Sequence, residues 1–341
     1  MGVKPGIEKR AEKLREAGVD YWFDPMTHAL QMPGVGDYRY YSGYSLWGGP
    51  QGDITDPAYR DEHIRRVFHM QKTLEAPLLA PTVLLHTGLS NTSSLALELS
   101  RNCRDLGEAV TLSIAGSGSF WASKSDLDAH IGSLVALEPA GWFITFTHPG
   151  EDLPPSFTAE EIAGVCRTVR ALSEYAQVYV SHGDFAALPA VAAGAYAVGT
   201  GWDKRQRMSR YGDYGARESG GQARWYARPT LKGLLGTLSV NEGALLLAQA
   251  PRLAQSLGGL PAPGPGEAFQ HHVAQLQSAV HDLATAGGYE DRYLKLDDMY
   301  SGAKAAWALV SSRTGIRNHA DKWIDPLQAG LRKYGHSEGW K

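Results

Sequence analysis

Five ionisable residues suited to catalysis follow short apolar runs, although they lie far apart along the chain. They are Asp24, His86, His148, His182 and Asp203, and each stands in or beside a cluster that contains glycine or proline. Carboxylates and imidazoles can act as nucleophiles, general acids, general bases or metal ligands. If the apolar runs are parallel strands, their carboxyl ends open on one face, and these residues gather there.

The histidines also favour an alternative chemistry. Three imidazoles at successive strand ends, with Asp24 or Asp184 as an oxygen ligand, would suit a zinc-type or manganese-type hydrolase. However, the strand-end residues contain no His-x-His pair or other tight ligand spacing. We therefore expect no metal and no cofactor, and keep the metal-dependent hydrolase as an alternative. The histidines assigned to substrate binding are His28, His86, His148 and His182.

Glycine-bearing turns supply the other predicted contacts. The turn 116–118 follows a strand but lacks the third glycine of a dinucleotide fingerprint, so we interpret it as a phosphate- or substrate-facing turn. The turn 199–201 can present backbone N–H groups to an anion. The predicted substrate-binding residues of the turns and the following loop are Gly116, Ser117, Asp184, Gly199, Gly201, Trp202, Arg205 and Arg207.

Strands that alternate with helices must position these residues. Strands are predicted near 20–24, 78–86, 110–116, 141–147, 178–181 and 195–199, and helices near 7–17, 57–74, 92–106, 124–137, 158–175 and 185–193. This order predicts an α/β protein with parallel strands and helical crossovers, although the pattern alone does not exclude a doubly wound sheet. The segment 178–201 resembles the last two units of phosphate-binding barrels, which favours a TIM-like (β/α)8 barrel.

The second part of the chain is predicted to be helical. Helices are predicted at 231–238, 242–256, 269–286 and 300–311, with a Pro- and Gly-rich linker at 258–266. We therefore predict a catalytic barrel over residues 1–229 and a helical C-terminal extension over residues 230–341.

A basic segment, residues 204–228, joins these two parts. It carries seven arginines and lysines, interleaved with tyrosines, a tryptophan and four glycines. Guanidinium groups could bind phosphates while the rings stack on bases, so the segment is a candidate contact for nucleic acid. A solvated surface loop whose arginines pair with acidic residues elsewhere is the alternative interpretation.

Composition limits the other possibilities. The 341 residues are 43% hydrophobic and 20% charged, with a formal net charge of -3. This charge argues against a surface that is basic throughout. Two cysteines do not indicate a disulfide framework. We find no signal region and no apolar stretch of the roughly 20 residues that span a bilayer, so we expect a cytoplasmic protein without a membrane partner.

The order of these parts resembles the tRNA-guanine transglycosylase superfamily. The matching pieces are Phe23-Asp24-Pro25, the glycine-rich Gly199-Thr200-Gly201-Trp202-Asp203-Lys204-Arg205, and Arg224-Trp225-Tyr226-Ala227-Arg228-Pro229, followed by a helical tail. That family has a Cys-x-Cys-x-x-Cys zinc site with a later histidine. The corresponding place here, near residues 248–253 with His271 or His272 downstream, has no cysteine, so structural zinc is not expected.

The resemblance implies chemistry at a glycosidic carbon. Such a reaction needs one carboxylate to attack or stabilise the sugar carbon and a second group to manage the proton on the departing base. Asp203 would be the nucleophile and Asp24 the acid/base partner. Each also has a structural interpretation, Asp24 as an Asx-turn residue before Pro25 and Asp203 as a capping residue.

We therefore expect a barrel enzyme of the glycosyltransferase or transglycosylase kind, which cleaves or exchanges a glycosidic bond. Its partner would be a nucleoside-like small molecule, or nucleic acid held by the basic segment. His148 and His182 would assist, and Arg205 or Arg207 would hold phosphate. A non-catalytic nucleic-acid-binding subunit is a further alternative, and a homo-oligomer remains open.

Overall fold

The computed structural model describes residues 5–32, 46, 53–148, 157–201, 207–211 and 228–340. The chain divides into two compact units. Unit 1 comprises Met1–Pro149, Ala171–Tyr179 and Arg210–Arg217, and unit 2 comprises Gly150–Arg170, Val180–Ser209 and Glu218–Lys341. The predicted site residues Trp202, Asp203 and Arg205 lie outside the described residues.

Unit 1 contains helices and a parallel sheet. Its helices are α1 (Pro5–Glu16), α2 (Pro57–Thr73), α3 (Asn91–Leu106), α4 (Gly118–Trp121) and α5 (Ser125–Val135), with a 3-10 turn at Thr27–Gln31. Two of these helices begin close to their predicted starts at residues 57 and 92. The Asp56 side chain accepts the Ala58 N–H at the start of α2, and the Ser90 side chain accepts the Ser93 N–H at the start of α3.

The strands of unit 1 run parallel, as predicted. They are β1 (Leu84–Leu85), β2 (Thr111–Ser117) and β3 (Gly141–His148), and β2 pairs with both of the others. The pairing register between β2 and the segment that leads into β1 shifts along the chain. Leu79 pairs with Thr111, whereas Leu84 pairs with Ala115. One extra residue is therefore accommodated on the β1 side.

The strand predicted at 20–24 does not form. The buried side-chain amide of Gln71 donates to the carbonyl of Phe23 at 3.0 Å and to that of Leu79 at 2.9 Å. Its oxygen accepts the Leu79 N–H at 3.1 Å. A side chain thus satisfies backbone groups that a neighbouring strand would otherwise pair.

Unit 2 holds the carboxyl ends of the next strands. Strand β4 spans Gln177–Ser181, with its last two residues in unit 2, and β5 spans Ala197–Val198. The Gly199 N–H donates to the Val180 carbonyl at 2.7 Å, and the N–H groups of Gly183 and Asp184 donate to the Gly199 carbonyl. Helix α6 is Ala159–Ser173, and a 3-10 turn at Asp184–Ala187 leads into α7 (Leu188–Ala192).

The C-terminal region of unit 2 is mainly helical, as predicted. Strand β6 (Ser209–Arg210) precedes this region, with Ser209 in unit 2 and Arg210 in unit 1. Within the region, β7 (Thr230–Leu231) pairs antiparallel with β8 (Gly236–Thr237). The helices are α8 (Val240–Gln249), α9 (Pro251–Ser256), α10 (Pro265–Ala284), α11 (Tyr289–Thr314) and α12 (Ala320–Ser337).

The helix predicted at 231–238 is instead this small hairpin. A 3-10 turn at Lys232–Leu234 connects its strands, and Leu235 has a left-handed backbone with φ 45°. The indole N–H of Trp307 donates to the Leu234 carbonyl at 3.0 Å. A contact from a distant helix therefore stabilises a turn in a segment with a helical pattern.

The structure confirms an α/β protein with a parallel sheet and a helical C-terminal region. Closure of the sheet into a barrel and the domain division at residues 229 and 230 remain predictions. Within the described residues, none of the helices has both the length and the apolar character needed to cross a bilayer.

Candidate functional site

Residues at the carboxyl ends of β1 and β2 form a ring of hydrogen bonds in unit 1. The His86 Nδ1 atom lies 3.0 Å from the Ser117 hydroxyl, which lies 3.0 Å from the Ser119 hydroxyl. Ser119 donates to the His86 carbonyl at 2.8 Å and closes the ring. The structure therefore brings together two predicted site residues, His86 and Ser117, and adds Ser119 from α4.

Tyr211 and Thr147 extend this array along the ends of the strands. The phenol of Tyr211 is hydrogen-bonded to the side chains of Thr147 and Ser117, and burial raises its pKa above the usual value. Thr147 also donates to the Gly116 carbonyl at 3.1 Å. We call His86, Ser117, Ser119, Thr147 and Tyr211 the hydroxyl cluster. Its serine, threonine and tyrosine hydroxyls can both donate and accept hydrogen bonds.

Packing against neighbouring side chains explains why residue 116 is a glycine. A β-carbon there would lie 2.3 Å from Cδ1 of Phe120 and 2.8 Å from Cε2 of Trp121. The Trp121 indole N–H donates to the Gly116 carbonyl at 2.9 Å. The aromatic start of α4 therefore packs directly on the end of β2, which sets the position of Ser117. A direct contact of Gly116 with substrate remains a prediction.

Two other predicted histidines are buried in unit 1. His28 is 3% exposed and lies in the 3-10 turn, and His148 is 7% exposed at the end of β3. The His148 ring lies 4.8 Å from the Phe146 ring. Burial lowers the pKa of His148 to about 4, so its imidazole is neutral at physiological pH.

Asp24 forms the turn that its sequence context predicts. Its Oδ1 atom accepts the Met26 N–H at 2.7 Å, across Pro25. Burial raises the pKa of Asp24 to about 6, opposed by this backbone hydrogen bond. The carboxyl group can therefore carry a proton close to neutral pH, as a general acid requires.

The turn after β4 has an unusual backbone. His182 and Asp184 are not glycines, yet they have φ values of 54° and 48°. A left-handed conformation at such residues is uncommon and often occurs where a structure positions functional groups. The Phe185 N–H donates to the Asp184 carboxylate at 2.9 Å, which holds that side chain in place.

Asp184 belongs to a buried polar network in unit 2. His272 of α10 is fully buried, and its Nε2 lies 2.9 Å from the Thr200 hydroxyl and 3.5 Å from Asp184 Oδ1. Its Nδ1 lies 2.9 Å from the Thr230 hydroxyl. Burial, with the nearby charge of Arg207, lowers the pKa of His272 to about 3. A neutral imidazole therefore links the turn after β5 to the C-terminal region.

Arg207 lies beside this network. It is 7% exposed, donates from Nε to the Gly201 carbonyl at 3.2 Å, and has Nη1 3.9 Å from Asp184 Oδ2. Within the predicted basic segment, the described residues are 207–211 and 228, and Arg210 is also buried. Arg207 and Arg210 are therefore buried rather than solvated, although Arg207 does lie beside an acidic residue, as the alternative interpretation expects. The rest of that segment lies outside the described residues.

A cavity of about 230 Å³ opens next to Arg207 in unit 2. The turn after β4, the β7–β8 hairpin and α12 contribute to its wall. The residues that we use below are Asp184, Arg207, Arg228, Glu242, Lys322 and Trp323. We call this space the unit 2 cavity.

The predicted site residues therefore fall into two groups. Asp24, His86 and His148 belong to unit 1 and His182 belongs to unit 2, whereas Asp203 lies outside the described residues. A shared mouth for all five remains a prediction. Sequence reasoning did not assign Thr147, Tyr211 or His272 to the site, and it named His272 only as a possible counterpart of the zinc histidine. Thr147 could have been found from its place at a strand end, whereas His272 has no signal because it lies inside a long helix.

The described residues contain no group of three histidine, cysteine, aspartate or glutamate side chains that could hold a metal ion. His272 is engaged by Thr200 and Thr230 rather than by a zinc site near residues 248–253. The alternative of a metal-dependent hydrolase gains no support from this part of the chain.

No protein family model and no curated protein matches the chain. Among solved structures, the chain is similar to CdNal from Clostridium difficile, which was crystallised in complex with mannosamine. The identity is 13%, the match covers 81% of each chain, and the TM-score is 0.25. A likeness at this level carries no argument about fold or function, so the resemblance to the transglycosylase superfamily remains a prediction.

Proposed function

We propose that this chain is an enzyme that cleaves or exchanges a glycosidic bond of a nucleoside-like ligand, on a scaffold of the (β/α) barrel kind. Asp24 acts as the acid/base partner, and Asp203, assigned from the sequence, acts as the nucleophile. The observation that carries the proposal is the hydroxyl cluster at the ends of β1, β2 and β3.

The hydroxyl cluster suits a neutral polar ligand. Hydroxyl groups of serine, threonine and tyrosine can both donate and accept, and so can a neutral imidazole through its two nitrogens. The His86–Ser117 and Ser117–Ser119 distances are both 3.0 Å, so these groups are already oriented by one another. Sugar hydroxyls and the heteroatoms of a base present the same mixed pattern of donors and acceptors, whereas an anion would call for cations.

Asp24 supports the same reaction. A departing base needs a proton, and a carboxyl group whose pKa is about 6 donates one more readily near neutral pH than an ordinary aspartate does. The rate of bond cleavage should therefore fall as the pH rises through about 6, since the acid form of Asp24 is then lost.

The proposal is tested by base release and base exchange. The purified chain is incubated with nucleosides, tRNA or DNA and an excess of isotopically labelled free bases, and mass spectrometry follows the products. Asp24→Asn should lower the rate at least about 100-fold, the usual contribution of general acid–base catalysis. The asparagine oxygen can still accept the Met26 N–H, so the turn is retained.

Asp20→Asn serves as the matched control, because Asp20 is exposed and lies four residues away. Its rate should equal that of the unchanged chain. Asp203→Asn should also abolish turnover while leaving substrate binding intact. Full activity of Asp24→Asn, or the absence of exchange with every substrate class, would overturn the proposal. Nucleic-acid binding by the unchanged chain without any turnover would instead indicate a binding subunit.

A further inference from the structure

The unit 2 cavity combines cations with an apolar wall. Arg207, Arg228 and Lys322 line it, together with Trp323 and Leu327. A site that gathers several cations beside an aromatic ring suits an organic anion whose body is apolar.

The charges in the cavity are unequal. The lining contains three cationic side chains and two carboxylates, those of Asp184 and Glu242. Both carboxylates already have structural partners, because Asp184 accepts the Phe185 N–H and Glu242 accepts the Ser239 N–H at 2.7 Å in a capping box. The nearby His272 adds no charge, because its pKa is about 3.

Two of the cations have no side-chain partner among the described residues. Within the described part of the chain, the side chains of Arg228 and Lys322 make neither a hydrogen bond nor an ion pair. Arg207 is held by the Gly201 carbonyl and lies near Asp184. The cavity therefore offers one positioned guanidinium and two further cations that can turn toward a ligand.

The aromatic wall is held rigidly. A β-carbon at Gly236 would lie 2.6 Å from Cζ2 of Trp323, so the hairpin backbone packs against the indole. The Trp307 ring meets it edge-on, with centroids 5.7 Å apart, and the His319 ring is stacked at 6.5 Å. A pre-ordered indole loses little entropy when it receives a flat ligand.

We propose that the unit 2 cavity binds a small phosphomonoester that has an aromatic or apolar body. Arg207, Arg228 and Lys322 bind the phosphate, and Trp323 packs against the body. Three separate cations can engage the three terminal oxygens of a phosphate, whereas a carboxylate offers two. This inference goes beyond the glycosidic reaction, because it concerns binding alone and does not depend on Asp24.

The test uses phenyl phosphate as the probe and calorimetric titration of the full chain. We expect one molecule to bind per chain, with a change in tryptophan fluorescence. Arg228→Gln and Lys322→Gln should each weaken binding about tenfold, as the loss of one charge-assisted hydrogen bond implies. The double variant should weaken binding about 100-fold.

Arg252→Gln combined with Lys295→Gln is the matched control. Both residues are exposed on helices of unit 2, and neither lines the cavity. The control should bind phenyl phosphate as the unchanged chain does, and phenol should bind far more weakly. The proposal is overturned if phenyl phosphate does not bind, if benzoate binds equally well, or if the Arg228 and Lys322 substitutions leave its affinity unchanged.

Discussion

Acidification from pH 7 to pH 5 should destabilise unit 1 by about 5 kcal/mol, from the linkage between proton binding and folding. Three histidines of this unit, His63, His130 and His148, are almost fully buried, and burial lowers the pKa of each to about 4. An unfolded chain binds protons at these imidazoles below about pH 6.5, whereas the folded unit does not. The stability that they contribute is therefore present above pH 6.5 and is lost as the pH falls toward 4.

One carboxyl group acts in the opposite direction. The pKa of Asp24 is about 6 in the folded chain, above the ordinary aspartate value of 3.8, so the folded state takes up this proton first. At pH 5, each imidazole lowers the free energy of unfolding by about 2 kcal/mol, whereas Asp24 raises it by about 1 kcal/mol, by the same linkage relation. The net loss is a large part of the stability of an ordinary domain.

His130 allows a sharp test of this prediction. Within the described residues, neither of its ring nitrogens has a hydrogen-bond partner, and its ring meets Phe120 edge-on at 5.7 Å. His130→Leu should therefore stabilise the chain at pH 7 by about 1 kcal/mol, because a buried unpaired polar group is removed. It should also reduce the slope of stability against pH by about 1.4 kcal/mol per unit.

Urea unfolding at several pH values, followed by circular dichroism, supplies the measurement. His69→Gln is the control, since His69 is an exposed histidine of α2. A chain that keeps its full stability at pH 5, or a His130→Leu variant as acid-sensitive as the unchanged chain, would refute the role assigned to the buried imidazoles.

Gly88→Ala should destabilise unit 1 by about 3 kcal/mol, the upper part of the range for overpacked sites. A β-carbon at Gly88 would lie 1.9 Å from the Asp126 carbonyl oxygen and 2.6 Å from the Leu127 nitrogen. Both atoms belong to the backbone of α5, so a side-chain rotation cannot relieve the overlap. The helix must move away from the segment that follows β1.

Gly132→Ala is the matched control in the same helix. A β-carbon there has no neighbour within 4 Å. This substitution should stabilise the chain by about 0.5 to 1 kcal/mol, because alanine loses less backbone entropy in a helix than glycine does. Chemical denaturation of the two variants tests the pair. Equal stabilities would show that α5 does not approach Gly88 as closely as described.

The candidate site was only partly predictable. The pattern of apolar runs placed His86 and Ser117 at neighbouring strand ends, and their side chains do meet. Tyr211 could not be predicted, because it comes from a segment about 60 residues beyond β3 and reaches Thr147 and Ser117 through its phenol. His272 was equally hidden, because nothing local distinguishes a buried helical histidine from an exposed one.

The amino-acid sequence by itself determined the elements with strong local signals. Capping side chains at Asp56 and Ser90 begin α2 and α3, and the alternation of apolar runs with helices determined the parallel strands, since these features depend on residues close together in the chain. Only the tertiary structure decided that the side chain of Gln71, rather than a neighbouring strand, pairs with the Phe23 backbone. It also decided that residues 230–237 form a hairpin, which Trp307 contacts. In both places a distant side chain supplies the hydrogen bond that local propensity would have assigned to the backbone.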